Sequence, residues 1–258
     1  MSHHVLLLGG HGKIAQFLTP LLLKRSWTVT SLIRTQDQVP VIEALGKNQQ
    51  GKLNVLVASL EEIKDVAGAK SIIDNVKPDY VVWSAGAGGK GPQERTFLID
   101  RDAASFFIRA AATTPSITRF LLVSHLGSRH RQPAWWSSEA WDAAKQANNS
   151  IAKYYAAKLV ADEVLVEVSR ERGEGFAGID LRPGRLSDDP AGKVELGKTK
   201  DARGKVSRAS VAEVAALLLE ADGVKSGWLD LLDGDEDAAD AVKRVVRDKV
   251  DAYDGEGA

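Results

Sequence analysis

The chain has 258 residues, of which 44% are hydrophobic and 27% are charged. These proportions are ordinary for a soluble globular protein, and the length suits one large α/β domain better than two. Lys and Arg number 34 against 35 Asp and Glu, so the net charge of -1 creates no field that favours nucleic acid or acidic membranes. Cysteine is absent, which excludes disulfides and thiolate chemistry and fits a reducing compartment.

Targeting segments and metal sites are not expected. The apolar run Val5–Leu8 is too short for a signal peptide, and no window approaches the roughly 20 apolar residues of a membrane span. The histidines show no metal-ligand spacing. We therefore expect a cytoplasmic protein that binds a small-molecule substrate and no metal, nucleic acid or membrane, with self-association as a homodimer left open.

The first informative stretch is V-L-L-L-G-G-H-G-K-I-A, from Val5 to Ala15. It predicts a buried strand, a tight turn containing Gly9, Gly10 and Gly12, and a helix that begins at once. A helix N-terminus offers unpaired N–H groups to a phosphate, glycines let the phosphate approach the backbone, and Lys13 adds a cation. The spacing fits Gly10-x-Gly12-x-x-Ala15 and Gly9-x-x-Gly12-x-x-Ala15 equally. A plain strand-to-helix turn that binds nothing is the alternative.

The run W-T-V-T-S-L-I-R predicts a second strand that ends at Arg34. In a dinucleotide-binding fold, the residue at this position contacts the adenosine ribose, where an acidic residue selects the 2'-hydroxyl and an arginine accommodates a 2'-phosphate. Arg34 lies 24 positions after Gly10, which suits that role. NADP is therefore preferred over NAD, although a solvated arginine at a strand end is the alternative interpretation.

Two further strand ends are predicted beside the first. Ser59 and Leu60 follow a third strand at Leu53–Val57, where the adenine of a bound cofactor would lie. The fourth strand, Tyr80–Trp83, leads into the small residues Ser84, Ala85 and Gly86, which leave room for a flat ligand against the backbone. Ligands bind at this carboxyl edge in open α/β sheets.

A fifth strand, Phe120–Ser124, delivers Ser124, His125 and Ser128 to the same edge. The segment that follows is rich in tryptophan, with Trp135, Trp136 and Trp141. These rings could roof a hydrophobic substrate pocket, pack on the core or form a dimer contact, and the sequence does not choose between these interpretations.

The predicted helix Ile151–Arg172 carries Tyr154 and Lys158, which are four positions apart and so share one helical face. A nearby ammonium lowers the pKa of a tyrosine, which lets the phenol exchange a proton with a carbonyl or hydroxyl oxygen. A tyrosine and a lysine at this spacing also occur often by chance, and an exposed helix face without function is the alternative interpretation.

Later elements are a sixth strand at Phe176–Leu181, an irregular charged stretch, a helix at Val211–Ala221 with Ser210 as N-cap, and a last strand at Trp228–Leu232.

Motifs over almost the whole chain resemble those of atypical short-chain dehydrogenases/reductases, the NAD(P)H-binding type that includes NmrA-like and flavin-reductase-like proteins. The motifs are Gly9–Ala15, Arg34, S-A-G-A-G at Ser84–Gly88, V-S-H-L-G-S at Val123–Ser128, Tyr154-x-x-x-Lys158 and Arg182-Pro183-Gly184. The resemblance implies a doubly wound parallel sheet (Rossmann fold) of α/β class that binds NADP. One domain is expected over residues 1–258, with 185–210 and 226–258 on the substrate side.

The same resemblance implies roles for individual residues. Tyr154 would be the general acid/base, Lys158 would hold the ribose and lower the tyrosine pKa, and Ser124 would polarise the substrate oxygen. Because the family usually has a second serine or threonine where this chain has His125, either Ser124 or His125 fills the polarising position, or the catalytic triad is incomplete. The expected cofactor contacts are Gly9, Gly10, Gly12, Lys13, Ile14, Arg34, Ser59, Leu60, Ser84, Ala85, Gly86, Lys158 and Pro183.

These expectations lead to three functional hypotheses. The first is an NADP-dependent oxidoreductase acting on a carbonyl, imine or enone of a small hydrophobic molecule, in a pocket shaped by the loops at Gly88–Gln93, Arg129–Asn149 and Leu186–Gly204. The tryptophans suggest an aromatic or polycyclic substrate. The second is an NADP-binding redox sensor without catalysis. The third is an isomerase, epimerase or lyase on the same fold.

Overall fold

A computed structural model of the chain describes residues 2–87, 94–253 and 256. Its strands are β1 His4–Leu8, β2 Thr28–Ile33, β3 Lys52–Val57, β4 Tyr80–Trp83, β5 Arg119–Val123, β6 Ala177–Pro183, β7 Arg185–Ser187, β8 Val194–Gly197, β9 Lys205–Ser207 and β10 Gly227–Asp233. Its helices are α1 Lys13–Leu23, α2 Val39–Leu45, α3 Val66–Val76, α4 Glu94–Thr96, α5 Ala104–Ala112, α6 Ser138–Ser150, α7 Ala152–Arg172, α8 Arg208–Glu220 and α9 Ala238–Arg247. A π-helical segment, Phe97–Ala103, joins α4 to α5.

The main sheet has eight strands in the order β3-β2-β1-β4-β5-β6-β10-β8. Each neighbouring pair is parallel except β8, which runs antiparallel to β10 at one edge. The chain reverses direction across the sheet between β1 and β4, which places the crevice of a doubly wound fold at the carboxyl ends of these two strands. The predicted Rossmann architecture is confirmed.

Strand β1 is buried on both faces, as expected of a central parallel strand. Val5 and Leu7 face a core made with α1, α8 and α9, whereas Leu6 and Leu8 face a second core made with α3, α5 and α7. All four side chains are fully buried. The two helical layers hold the sheet from both sides, so the carboxyl edge is fixed in position for the loops that follow it.

One helix and three short strands were missed by the sequence analysis. Helix α6 follows the tryptophan-rich segment, and its N-cap Ser137 accepts a hydrogen bond from the Ala140 N–H at 3.1 Å. Strand β8 lies in the stretch expected to be irregular, and β7 and β9 pair there as a separate two-stranded sheet.

The start of α8 was also predicted wrongly. Ser207, and not Ser210, is its N-cap, because the Ser207 hydroxyl accepts from the Ser210 N–H at 2.9 Å. Within the described ranges, no helix is both long and apolar enough to cross a membrane.

Candidate functional site

The glycine turn after β1 is shaped by close contacts within the protein. Gly9 has a φ of +82°, and a Cβ there would lie 2.6 Å from the Cα of Ala85. A Cβ on Gly10 would collide with the Ser31 hydroxyl. Gly12 is the N-cap of α1, and its N–H donates to the Gly9 carbonyl at 2.8 Å. The Gly9-x-x-Gly12-x-x-Ala15 register therefore describes the turn, with Gly10 needed for packing against β2.

The N-terminus of α1 suits an anion. Among the described residues no side chain caps this helix and its first turn contains no acidic residue, so its N–H groups and the positive end of its dipole face the crevice. The Lys13 ammonium lies 2.6 Å from Asp188, and both side chains are exposed. An incoming phosphate can therefore compete with Asp188 for Lys13.

A cavity of about 360 Å³, here called the glycine-turn cavity, opens over the ends of β1, β2 and β4. Its walls include seven of the predicted cofactor contacts: Gly9, Gly12, Arg34, Leu60, Ser84, Ala85 and Gly86. Gly10, Lys13, Ile14 and Ser59 lie beside it and are not part of its wall. The side chain of Ser59 instead accepts from the Glu61 N–H at 3.3 Å and caps a short 3-10 turn.

Charged side chains gather at the outer end of this cavity. Arg34 is half exposed, with its guanidinium 3.8 Å from Glu61, and Arg95 donates to the same carboxylate oxygen at 2.8 Å. Glu61 and Arg95, like His11 and Gln38 in the same wall, were not among the predicted residues. No local sequence pattern predicts that Arg95 and Arg34 lie near each other, because the fold brings them together from distant segments.

Tyr154 and Lys158 lie together at the other end of the sheet edge. The Lys158 ammonium is 5.7 Å from the centre of the Tyr154 ring, donates to the Val123 carbonyl at 3.0 Å and lies 3.4 Å from an Asp100 oxygen. Asp100 comes from the π-helical segment, is fully buried and also accepts from the Ala87 N–H. π-Helical turns often occur at functional sites.

The protonation states of this pair follow from burial and charge. Burial raises the pKa of Tyr154, and the positive charge of Lys158 offsets part of that rise. For Lys158, burial alone lowers the pKa, but the carboxylates of Asp100 and Asp162, and Tyr154 when it is ionised, raise it, and the net direction is upward. At neutral pH the pair is therefore a neutral phenol beside an ammonium.

Ser124 is tied to a buried ionic network beneath the site. Its hydroxyl donates to Asp162, which lies four positions after Lys158 on α7. Asp162 in turn accepts from Arg182 at 2.6 Å, and Arg182 also contacts Asp180 and Asp230. The spacing of Tyr154, Lys158 and Asp162 along one helical face is a sequence signal that could have identified Asp162 in advance.

His125 is held in a neutral state beside Tyr154, with the two ring centres 5.9 Å apart. Asn148 donates its amide N–H to the Gly127 carbonyl at 2.7 Å, so its oxygen faces the His125 Nε2 at 3.3 Å. Nε2 then carries the proton and Nδ1 does not. Burial lowers the pKa of His125 to about 4. His125, one of the two candidates for polarising the substrate oxygen, is therefore a neutral imidazole.

The low pKa of His125 predicts a dependence of folding stability on pH. Since the unfolded chain takes up this proton near pH 6.5 and the folded chain only near pH 4, the folded state loses stability as the pH falls through that window. The loss due to this group is about 3 kcal/mol. In urea titrations, His125→Gln is expected to remove that part of the slope.

A second cavity, of about 640 Å³ and here called the tyrosine cavity, opens beside these residues. Ser124, His125, Tyr154 and Pro183 line it, whereas Lys158 is only 2% exposed and lies outside its wall. None of the three tryptophans of the Trp-rich segment lines it. Trp136 is buried and packs with Leu126 and Ala140, with Trp135 and Trp141 against this cluster. These rings therefore pack on the core. The loop Gly88–Gln93, which was also predicted to shape the substrate pocket, lies outside the described part of the chain.

Fold and site together define a Rossmann protein with a glycine turn at an uncapped helix N-terminus and a tyrosine–lysine pair, which is the class of NAD(P)-dependent oxidoreductases and epimerases. A family model described as NAD(P)H-binding matches residues 9–222. A Bacillus subtilis protein named an uncharacterized sugar epimerase, YhfK, is 31% identical over 243 residues, covering 93% of this chain and 99% of that protein.

Solved structures agree with this class. The structure of a candidate NAD-dependent epimerase/dehydratase from Bacillus halodurans matches with a TM-score of 0.74 and 26% identity, over 94% of this chain and all of that one. An oxidoreductase from Lactococcus lactis, ylbE, shares the fold with a TM-score of 0.72 at 17% identity, over 95% of this chain and 97% of that one. The chain belongs to the NAD(P)H-binding family.

Proposed function

We propose that the protein is an NADP-dependent reductase of a carbonyl, imine or enone group, with Tyr154 as the general acid. The observation that carries this proposal is that Tyr154 lies in the wall of the tyrosine cavity, with the buried Lys158 ammonium 5.7 Å from the centre of its ring. The apolar residues of that cavity suit a largely hydrophobic substrate. They are Leu126, Ala143, Ala144, Ala147, Ile151, Leu186 and Ala202.

The residues of this chain would act on the electronegative atom of the substrate, which is the oxygen of a carbonyl or enone or the nitrogen of an imine. Bound NADPH would supply the hydride that reduces the electrophilic carbon. Tyr154 would donate its phenolic proton to that oxygen or nitrogen, which gives an alcohol from a carbonyl, an enol from an enone or an amine from an imine, and the Lys158 ammonium would stabilise the phenolate that remains. Asp100 holds Lys158 in place through their 3.4 Å contact. Because burial raises the pKa of Tyr154, the phenol carries its proton at neutral pH, as reduction requires.

The preference for NADP is supported by the charges of the glycine-turn cavity. Arg95 engages the Glu61 carboxylate at 2.8 Å, whereas Arg34 is 3.8 Å from it and half exposed. Arg34 is therefore able to turn its fork of N–H donors to a 2'-phosphate. No acidic residue ends β2, where one would select the 2'-hydroxyl of NAD.

Arg34→Gln is expected to weaken NADPH binding about 10- to 100-fold, because it removes charge-assisted hydrogen bonds to the phosphate. NADH binding should change little, since NADH lacks that phosphate. Calorimetric titration with both nucleotides measures the two effects. The control is Arg25→Gln, which breaks an ion pair with Glu220 away from the cavity. Equal losses for the two nucleotides would show that Arg34 does not read the phosphate.

The reaction itself is tested by NADPH consumption with a panel of ketones, quinones, imines and enones. We expect at least one compound to be reduced with one NADPH oxidised per product. Tight NADPH binding without turnover of any compound would instead support a redox sensor that binds the nucleotide and catalyses nothing.

An epimerase or isomerase is the second candidate, and His125 is the observation that favours it. A neutral imidazole and a protonated phenol in the same cavity wall form a base and an acid, which can move a proton between two faces of a carbon next to a carbonyl. The name of the Bacillus subtilis relative, a sugar epimerase, agrees with this candidate. Uptake of solvent deuterium at a substrate carbon, without net NADPH oxidation, would identify it.

A further inference from the structure

The tyrosine cavity has an uneven distribution of charge. Three arginines are among the described residues that line it, Arg185, Arg203 and Arg208, and no aspartate or glutamate is. The whole chain has nearly equal numbers of basic and acidic residues, 34 and 35. All the charged side chains in this wall are therefore basic, although the protein as a whole has almost no net charge.

The arginines come from one segment of the chain. Arg185 begins β7, Arg203 precedes β9 and Arg208 begins α8, while α6 supplies small apolar side chains, including Ala143 and Ala147, to the same cavity. A molecule that fills this space meets apolar surface from α6, cationic surface from residues 185–208, and the reactive Tyr154.

The three guanidinium groups differ in how far they are already neutralised. Arg203 donates to both carboxylate oxygens of Asp201, and Arg208 donates to Asp188 at 2.7 Å. Arg185 is exposed, and within the described part of the chain its guanidinium has no hydrogen-bond or ion-pair partner. Its backbone is held by pairing with Lys205 in the two-stranded sheet and by a 3.1 Å bond to the Gly204 carbonyl. Arg185 is thus an anchored cation that has no counter-ion among the described residues.

We infer that the substrate of the tyrosine cavity carries an anionic group, a carboxylate or a phosphate, that Arg185 binds with support from the charge of Arg208. A guanidinium can form two parallel hydrogen bonds with either group. A guanidinium that has no ion-pair partner at a cavity wall therefore favours the binding of an anionic ligand. The inference rests on the proposed function, because it takes the space beside Tyr154 as the substrate site. It adds the chemical class of the substrate, an anionic carbonyl compound with an apolar body.

The test compares matched pairs of ligands by calorimetry, with the full chain saturated with NADP. The first pair, para-acetylbenzoate and para-methylacetophenone, compares a ketone that carries a carboxylate with an uncharged ketone of similar shape. The second pair, dihydroxyacetone phosphate and dihydroxyacetone, compares a ketone that carries a phosphate with the uncharged ketone. We expect at least one anion to bind about tenfold or more tightly than its neutral partner, as a charge-assisted hydrogen bond would give.

Arg185→Gln should abolish that preference, while Arg247→Gln, at an exposed ion pair with Asp248 at the C-terminal end of α9, should keep it. Because Arg185 is exposed, both variants should have the wild-type thermal midpoint. If neither anion binds better than its partner, or if Arg185→Gln keeps the preference, the inference is wrong. Binding is measured without turnover, so a failure of the proposed reduction appears separately, as absent NADPH consumption with unchanged anion binding.

Discussion

Tyr154→Phe is expected to lower kcat for reduction by about 10²- to 10⁴-fold, the usual contribution of a positioned general acid. The substitution removes only the phenolic oxygen, so the ring contacts with His125 and Lys158 remain. NADPH affinity and the thermal midpoint should stay close to wild type. Steady-state NADPH consumption, with the best compound of the carbonyl panel, measures the effect.

Tyr155→Phe is the matched control on the neighbouring position. The Tyr155 hydroxyl donates to the Arg129 carbonyl at 3.0 Å and does not line the tyrosine cavity, so its loss should leave kcat unchanged. If Tyr154→Phe and Tyr155→Phe both keep the wild-type kcat, the assignment of Tyr154 as the proton donor is wrong.

The pH profile gives a second test of the same residue. The reductive rate needs the protonated phenol, and burial holds the pKa of Tyr154 above its ordinary value. The rate should therefore be steady through neutral pH and fall only as the pH rises above about 10. Tyr154→Phe should lose this alkaline limb.

Arg182→Met is expected to lower the free energy of unfolding by about 3 to 5 kcal/mol, the cost of removing one partner from a buried ionic cluster. Arg182 is fully buried, contacts Asp162, Asp180 and Asp230, and lies 3.6 Å from the centre of the Trp228 ring. Methionine fills part of the space but leaves buried carboxylates without their cation. Urea titration at neutral pH measures the loss.

The control for this prediction is Arg247→Met. Arg247 is exposed and pairs with its neighbour Asp248, so its loss should change the unfolding free energy by less than about 0.5 kcal/mol. At low pH the defect of Arg182→Met should shrink, because burial raises the pKa of Asp162 and Asp230 and a protonated carboxyl needs no cation. An Arg182→Met protein as stable as wild type would mean that the cluster does not hold the sheet edge together.

The features that the sequence predicted well depend on short stretches of chain. The turn from β1 into α1 is encoded within eleven residues, Val5 to Ala15, because strand, glycines and helix follow one another directly. Tyr154 and Lys158 share a helical face by spacing alone. The strand order then follows from the parallel connections of such units, which is why the Rossmann fold could be predicted.

The features that escaped prediction depend on distant segments meeting in space. Ser124 donates to Asp162, 38 positions away, and Arg34 shares Glu61 with Arg95 from another helix. No local pattern reports such contacts. Helix α6 was missed because its sequence is polar, with only Ala140, Ala144 and Asn148 buried, so it lacks a strong apolar period.

The tryptophans show the same limit. Their number in one segment fitted a pocket roof, a core contact and a dimer contact equally, and only the fold shows that they pack on the core. Trp136 donates its indole N–H to the Thr199 carbonyl at 2.8 Å and contacts the Arg129 guanidinium, which fixes it in the core. Arg185 and Arg208, which line the tyrosine cavity, were likewise not predicted, because they lie in a stretch whose sequence looked irregular.

Titration of the purified full chain with NADPH and NADH tests the central claim most directly. Binding should saturate at one NADPH per chain, and NADH should bind more weakly because Arg34 then has no phosphate to contact. If neither nucleotide binds at millimolar concentration, the glycine turn does not hold a dinucleotide and the proposed chemistry at Tyr154 has no reductant.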